Sequence, residues 1–337
     1  MIFVTGGTGV IGSHLLYLLS KSETTPIKAI YRNELKIQNT KKIFTYYDEI
    51  NGLELFNKIH WVACDILDLP QLKEEMTGAK HVYHCAALVS FQKKDFRQLI
   101  QTNRFGTANV VNLCLDLNIE KLCHVSSTAA IGKPINETKR ELTEDEKWNP
   151  DVKVSGYSMS KHLAEKEVWR GIEEGLNAII VNPSVVFGAG DWNESSLTIF
   201  RNVQKGLAFY PPGSNAFVDA RDVVQIMYKL MQSSREGERY LCIGENATFK
   251  QMLSTIALTL NKKPPHIKIG KILMGFAWRL AWIGSLFSSK PAALTKSSVT
   301  SSFEHTVFSN QKIKTELAFS FKSLKEMVEN AVNGKIT

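Results

Sequence analysis

Met1-Ile-Phe-Val-Thr-Gly-Gly-Thr-Gly-Val-Ile-Gly12, continuing into Ser13-His-Leu-Leu-Tyr-Leu-Leu19, is the stretch whose reading decides the fold. A short apolar strand ends in a glycine turn, and a helical apolar pattern through Ile11, Leu15, Leu16 and Leu19 begins at once. A backbone that turns without side chains lets a pyrophosphate reach the free N–H groups at a helix N-terminus, where the helix dipole is positive. Gly6, Gly9 and Gly12 fit G-x-x-G-x-x-G rather than G-x-G-x-x-G, with Thr8, Val10 and Ile11 filling the loop. The spacing by itself also suits a plain strand-to-helix turn, so the remainder of the chain has to decide.

At 337 residues the chain can bury a full core as one large domain or two closely joined ones. Its five cysteines are scattered and odd in number, without C-x-x-C spacing, which excludes a disulfide framework or zinc site and predicts reduced thiols in a cytoplasmic protein without a bound metal. No cationic stretch precedes the first strand, so a cleaved export signal is not expected. The longest apolar run, Ile272 to Phe287, contains Arg279 and is too short to cross a bilayer. Residues 246–303 hold eight Lys or Arg and no Asp or Glu, which accounts for the whole formal excess of +8. Such a surface is either a solvated face or an attractor of anions; without a recognised motif it does not indicate nucleic acid.

Along the chain, Ile27–Tyr31, His60–Cys64, His81–His84 and Lys121–Val125 read as strands, with helical stretches over Leu69–Met76 and Phe96–Leu117 between them. Strands alternating with helices predict a parallel sheet covered on both faces. Arg32 follows the second strand, where an acid would bond a ribose 2′-OH and an arginine would accept a 2′-phosphate; Lys36 is near enough in sequence to assist. Asp65-Ile66 and Cys85-Ala86-Ala87 close the third and fourth strands, and the hydroxyl cluster Ser126-Ser127-Thr128 follows the fifth. Tyr157-Ser-Met-Ser-Lys161 opens a helix and sets Tyr157 and Lys161 one turn apart on one face. A phenol titrates at about 10, and an adjacent ammonium favours its ionised form.

Taken in this order, with Asn182-Pro-Ser-Val-Val-Phe-Gly188, Phe217-Val-Asp-Ala-Arg-Asp222 and Phe308-Ser-Asn-Gln-Lys312, these motifs resemble the extended short-chain dehydrogenase/reductase (NAD-dependent epimerase/dehydratase) family over nearly the whole chain. The resemblance implies an α/β fold: a Rossmann doubly wound parallel sheet with a smaller, discontinuous α/β substrate domain. Residues 1–180 would be mainly dinucleotide-binding and 181–337 mainly substrate-binding, with roughly 215–245 returning to the Rossmann part. It implies Tyr157 as catalytic acid/base, Lys161 as its partner, and Thr128 as the hydroxyl on the reacting carbonyl, Ser127 being the alternative. The implied cofactor contacts are Gly6, Thr8, Gly9, Val10, Ile11, Gly12, Arg32, Asp65, Ile66, Cys85, Ala86, Ala87, Ser126, Ser127, Tyr157, Lys161, Asn182, Pro183 and Ser184. NADP(H) is preferred over NAD(H) on the strength of Arg32.

Two departures narrow the branch. Ala129-Ala130 stand where the family's sugar dehydratases carry Asp-Glu, and Val185 stands where sugar-nucleotide enzymes commonly carry asparagine. What remains is similar to the dihydroflavonol 4-reductase and 3β-hydroxysteroid dehydrogenase branch, an NADP(H)-dependent oxidoreductase interconverting a carbonyl and a secondary alcohol on a small, rather apolar molecule. The alternatives are an NAD-dependent nucleotide-sugar epimerase and a non-catalytic NADP-binding regulatory protein. The apolar segment 272–287 is expected to cover substrate or to meet a homodimer mate, or else an anionic membrane touched weakly through 262–296.

Overall fold

The computed structural model describes residues 1–132, 141–275 and 296–336. Strand β1 (Ile2–Thr5) is buried along its length. Ile2 and Val4 enter one apolar cluster and Phe3 another, because successive strand side chains point to opposite faces. A strand apolar on both faces requires cover on both. Helix α1 (Val10–Ser22) supplies it on one side through Leu15, Leu16 and Leu19, each fully buried and contributing about 2 kcal/mol by its removal from water.

The chain continues through β2 (Ile27–Tyr31), α2 (Leu35–Tyr47), α3 (Gly52–Asn57), β3 (Ile59–Ala63), α4 (Leu69–Met76) and β4 (His81–His84). The third strand begins one residue before its expected position. Asp68 starts α4 by accepting from the Gln71 N–H at 3.2 Å, with Pro70 in the first turn, where a missing N–H costs no helical bond.

The single helix expected over Phe96–Leu117 is instead three pieces: α5 (Phe96–Leu99), a π-helical turn (Ile100–Phe105) and α6 (Gly106–Asp116). The wide turn carries Asn103, whose side chain accepts from the Leu88 N–H at 2.7 Å and donates to the Leu88 carbonyl at 3.0 Å. Tertiary hydrogen bonds thus accompany a break that apolar periodicity does not signal.

Next come β5 (Lys121–Val125), α7 (Gly156–Glu173), β6 (Ala178–Pro183), β7 (Val185–Phe187), β8 (Gly190–Asp191), α8 (Thr198–Gln204), β9 (Phe209–Tyr210), β10 (Ser214–Asp219), α9 (Ala220–Met231) and β11 (Glu238–Cys242). Seven strands form one parallel sheet in the order β11-β6-β5-β4-β1-β2-β3. The order reverses between β1 and β4, and in such sheets ligands bind at the carboxyl ends of the strands beside that reversal. Every predicted strand-end motif lies on this edge.

The later chain builds a smaller body and also returns to the sheet. Strand β12 (Glu245–Thr248) pairs antiparallel with β10, which pairs parallel with β7. Helix α10 (Phe249–Thr259), α8 and the helix Leu324–Asn333 close over them around Phe187, Phe200, Phe217, Met252 and Met327. Helix α9 goes back to the first body, with Val223, Val224, Ile226, Met227 and Leu230 in the same apolar cluster as α1. Strand β11 then completes the large sheet. Of the apolar run Ile272–Phe287, only residues up to 275 are described; among the described residues no helix is long and apolar enough to cross a membrane.

Candidate active site

The glycine turn leaves β1 with Gly6 in the left-handed region, φ +69°. A Cβ at Gly6 would lie 2.6 Å from the Ala86 nitrogen, and one at Gly12 would lie 2.1 Å from the Gly6 carbonyl oxygen. The turn is held by the Gly9 N–H donating to the Gly6 carbonyl at 3.0 Å and the Ser13 N–H donating to the Gly9 carbonyl at 2.9 Å. Gly9 caps α1 without a side chain and no acid occupies the first helical turn, so the dipole end faces outward uncovered. Thr8, Val10 and Ile11 are partly exposed around it.

Beside this turn, Arg32 and Asp65 leave the ends of β2 and β3 and form an exposed ion pair of 3.8 Å. With Lys94, Arg97 and Gln101 they line a cleft of about 420 Å³. Lys36, the expected helper of Arg32, is instead paired with Glu194 at 2.7 Å. Ile66 is buried against Gly106, where a Cβ would come within 2.4 Å of its side chain.

Cys85, Ala86 and Ala87 follow β4, and a chain of hydrogen bonds fixes them. The Ala86 N–H donates to Thr5 Oγ1 at 3.1 Å, and Thr5 Oγ1 lies 2.7 Å from His84 Nδ1. His84 Nε2 lies 3.0 Å from Thr107 Oγ1, which donates to the Asn103 carbonyl at 2.6 Å. Since Thr107 gives its proton away, it accepts from His84 Nε2, and Thr5 donates to Nδ1; the imidazole is neutral. Burial, reinforced by the Lys161 charge, pushes His84 down to about 3, in agreement.

Helix α7 starts at Ser155, whose hydroxyl accepts from the Ser158 N–H at 3.0 Å. Tyr157 therefore stands in the first turn, with the Phe91 ring edge-on at 5.5 Å. Burial raises its phenol, and a hydrogen bond with the Ser127 side chain acts in the opposite sense. Lys161 is buried one turn on and donates to the Val125 carbonyl at 2.8 Å. Burial pulls its ammonium down to about 8, against the raising influence of Glu165 and then Cys85. Lys161 thus rests its ammonium on the strand behind it, and the influence that opposes burial at Tyr157 is that of a hydroxyl.

The hydroxyl that opposes the effect of burial on Tyr157 belongs to Ser127. Thr128 begins a 3₁₀ turn, Thr128–Ala130, that Ser127 caps by accepting from the Ala129 N–H at 3.2 Å. Ser126 points inward and donates to Glu165 at 2.6 Å. Asn182, fully buried at the end of β6, donates to the Ser127 carbonyl at 3.0 Å and to Glu165 at 2.8 Å, and its Oδ1 has no protein partner. Pro183 and Ser184 are drawn toward β11: Pro183 lies in register with Cys242, and the Ser184 N–H donates to the Cys242 carbonyl at 3.2 Å.

Sequence reasoning passed over two residues here. Glu165 is 3% exposed and takes Arg239 of β11 as its ion-pair partner at 3.0 Å. The signal available was K-x-x-x-E, which repeats the spacing of Tyr157 and Lys161 one turn further along the same face. Arg239 carries no sequence signal, since only the closing of β11 on β6 brings it there.

The site fits a dinucleotide. Its glycine cradle would be filled by any Cβ at residue 6 or 12, and the orphan Asn182 Oδ1 lies at the same sheet edge. A model of the NAD dependent epimerase/dehydratase family matches residues 2–244. Sterol demethylase protein B of Methylococcus capsulatus is 28% identical to this chain, covering 80% of it and 78% of its own length. Anthocyanidin reductase of Arabidopsis thaliana is 26% identical, covering 74% and 77%. UDP-glucuronic acid 4-epimerase from Bacillus cereus, solved in complex with NAD, shares the fold with a TM-score of 0.73 at 19% identity over 99% of this chain and 95% of that one. With a family match over more than half its length, a seven-stranded parallel sheet and the Tyr157/Lys161 helix at its carboxyl edge, the chain belongs to the NAD dependent epimerase/dehydratase family and is an NAD(P)-dependent enzyme of the extended short-chain dehydrogenase/reductase type.

Proposed function

We propose that the enzyme interconverts a carbonyl and a secondary alcohol on a small, rather apolar substrate with NADP(H). The observation that carries this reading is Tyr157 in the first turn of α7, its ring edge-on to the exposed Phe91 ring at 5.5 Å, with the Ser127 hydroxyl near enough to favour its ionised form. Val89 and Phe96 are each nearly half exposed on the adjoining segment. A bound nicotinamide supplies or takes the hydride; the glycine turn would hold its pyrophosphate and Lys161 its ribose hydroxyls. Ser127 donates a hydrogen bond to the substrate oxygen as negative charge grows there, and Tyr157 delivers the proton; in oxidation Tyr157 takes it back. The reductases and dehydrogenases among the similar proteins support the same direction.

The preference for NADP(H) is argued from the cleft lined by Arg32, Lys94 and Arg97, where three cations face one acid, Asp65. A 2′-phosphate is a suitable guest for such a surplus. The test is NADPH oxidation across ketosteroids, flavonoid-like ketones, aliphatic aldehydes and keto-sugars, run beside Tyr157→Phe. Turnover of apolar ketones or aldehydes by the wild type, lowered about 100-fold or more in Tyr157→Phe with NADPH binding retained, is expected. Activity confined to sugar nucleotides, with NAD⁺ copurifying, would replace this reading by that of an epimerase.

A further inference from the structure

Glu165 is a buried carboxylate whose hydrogen-bond partners all belong to the architecture around the catalytic pair. One oxygen accepts from Ser126 and from Asn182; the other accepts from Trp169 Nε1 at 3.3 Å and from Arg239. Arg239 is itself held by the carbonyls of Glu144 and Glu146, each at 2.6 Å. A carboxylate taken out of water is retained only where donors surround it, and four donors do so here, from the turn after β5, from β6, from β11 and from α7 itself.

The consequence lies at the neighbouring turn. Ser126 precedes the hydroxyl that meets Tyr157, and Asn182 bonds the carbonyl of that same Ser127. The two residues that set where the Ser127 hydroxyl stands therefore share one anchor atom. Lys161, one helical turn before Glu165, faces Cys85 and His84 from the end of β4, His124 from β5 and the Val125 carbonyl. His84 and His124 are held neutral by burial. Besides Lys161 and Arg239, Glu165 faces only His162 among the groups that titrate near neutrality, and burial lowers that imidazole. Glu165 is thus the carboxylate facing Lys161 among the described residues.

We propose that Glu165 is a positioning residue of the active site: through Ser126 and Asn182 it fixes the Ser127 hydroxyl beneath Tyr157, and its carboxylate is the counter-ion of Lys161. The kinetic part of this inference rests on the reductase reading; the electrostatic part does not.

The experiment is a pH titration of the Lys161 side chain by NMR in protein labelled with [ε-¹³C]lysine, its resonance assigned with Lys161→Arg. Four proteins are compared: wild type, Glu165→Gln, Glu165→Gln/Arg239→Met and Asn182→Ala. The double variant removes both charges together, leaving neither buried alone. In both Glu165 variants the Lys161 midpoint moves down by about one pH unit, while Asn182→Ala leaves it in place. On a carbonyl substrate, Asn182→Ala lowers kcat about 10-fold with an unmoved alkaline limb, and Glu165→Gln lowers kcat and also moves that limb to lower pH. An unchanged midpoint in the folded Glu165 variants refutes the counter-ion role, and full kcat in Asn182→Ala refutes the positioning role. A wild type inert on every carbonyl, beside Glu165 variants that show the shifted midpoint, overturns the reductase reading alone.

Discussion

Two adjacent hydroxyls at the end of β5 have different roles in the proposed mechanism, and substitution separates them. Ser127→Ala removes the donor that meets Tyr157 and is expected to lower kcat about 100-fold with a small change in KM, as when one donor of an oxyanion site is lost. Thr128→Val, in the 3₁₀ turn, is expected to stay within a few-fold of wild type in the same steady-state assay. Choosing between neighbours was beyond sequence reading because consecutive residues leave a strand in different directions, and the side that faces Tyr157 depends on the turn that follows. Arg32 is the second residue to test. Arg32→Ala should raise KM for NADPH about 10-fold while leaving KM for NADH nearly unchanged, measured by cofactor titration at saturating substrate.

At the scale of elements, the glycine turn and α1 are a single rigid piece. Gly12→Ala would force a methyl to within 2.1 Å of the Gly6 carbonyl, so the turn has to open. The expected outcome is a loss of about 1–3 kcal/mol of stability in urea unfolding, together with weakened NADPH binding by fluorescence titration. This piece was legible in the sequence because each level of it is local: apolar strand, glycines, apolar helix. The same holds for β2, α4, β4 and β5, where an alternation or an apolar run is bounded by turn residues. The π turn at Ile100–Phe105 was not legible, since it accompanies the clamp of Asn103 on Leu88, a contact across 15 positions. Nor was Arg239, which reaches Glu165 from 74 positions away. Local order writes itself into periodicity; partners supplied by topology do not.

Across the whole molecule, the two bodies are joined by buried neutral polar groups. His14 of α1 has Nδ1 at 2.6 Å from the Val10 carbonyl, so that nitrogen carries the proton and Nε2 accepts from the Tyr47 hydroxyl at 2.9 Å. Asn330 of the helix Leu324–Asn333 donates to the same Tyr47 oxygen at 3.1 Å, which links first helix to last. Burial lowers His14 to about 4 and His84 to about 3 from an ordinary 6.5. Both folded values lie below the unfolded one, so the unfolded chain takes up these protons first as pH falls. Their stabilising contribution is complete above pH 6.5 and is lost progressively down to about pH 4 and pH 3. Melting temperature should therefore fall through this window. His14→Gln, less stable at pH 7, should show a shallower decline by scanning fluorimetry.

The seventh strand has a bearing on how the chain is made. Synthesis delivers β1 through β6 by residue 183, but Arg239 arrives with β11, after the whole excursion through β7 to α9. On the ribosome the nucleotide-binding half thus holds the Glu165 carboxylate by Ser126, Trp169 and Asn182 alone until the Arg239 guanidinium emerges. Closure of this wall of the sheet is thereby postponed until β7 to α9 have been made, and it precedes β12, α10 and the helix Leu324–Asn333, with which the second body is completed.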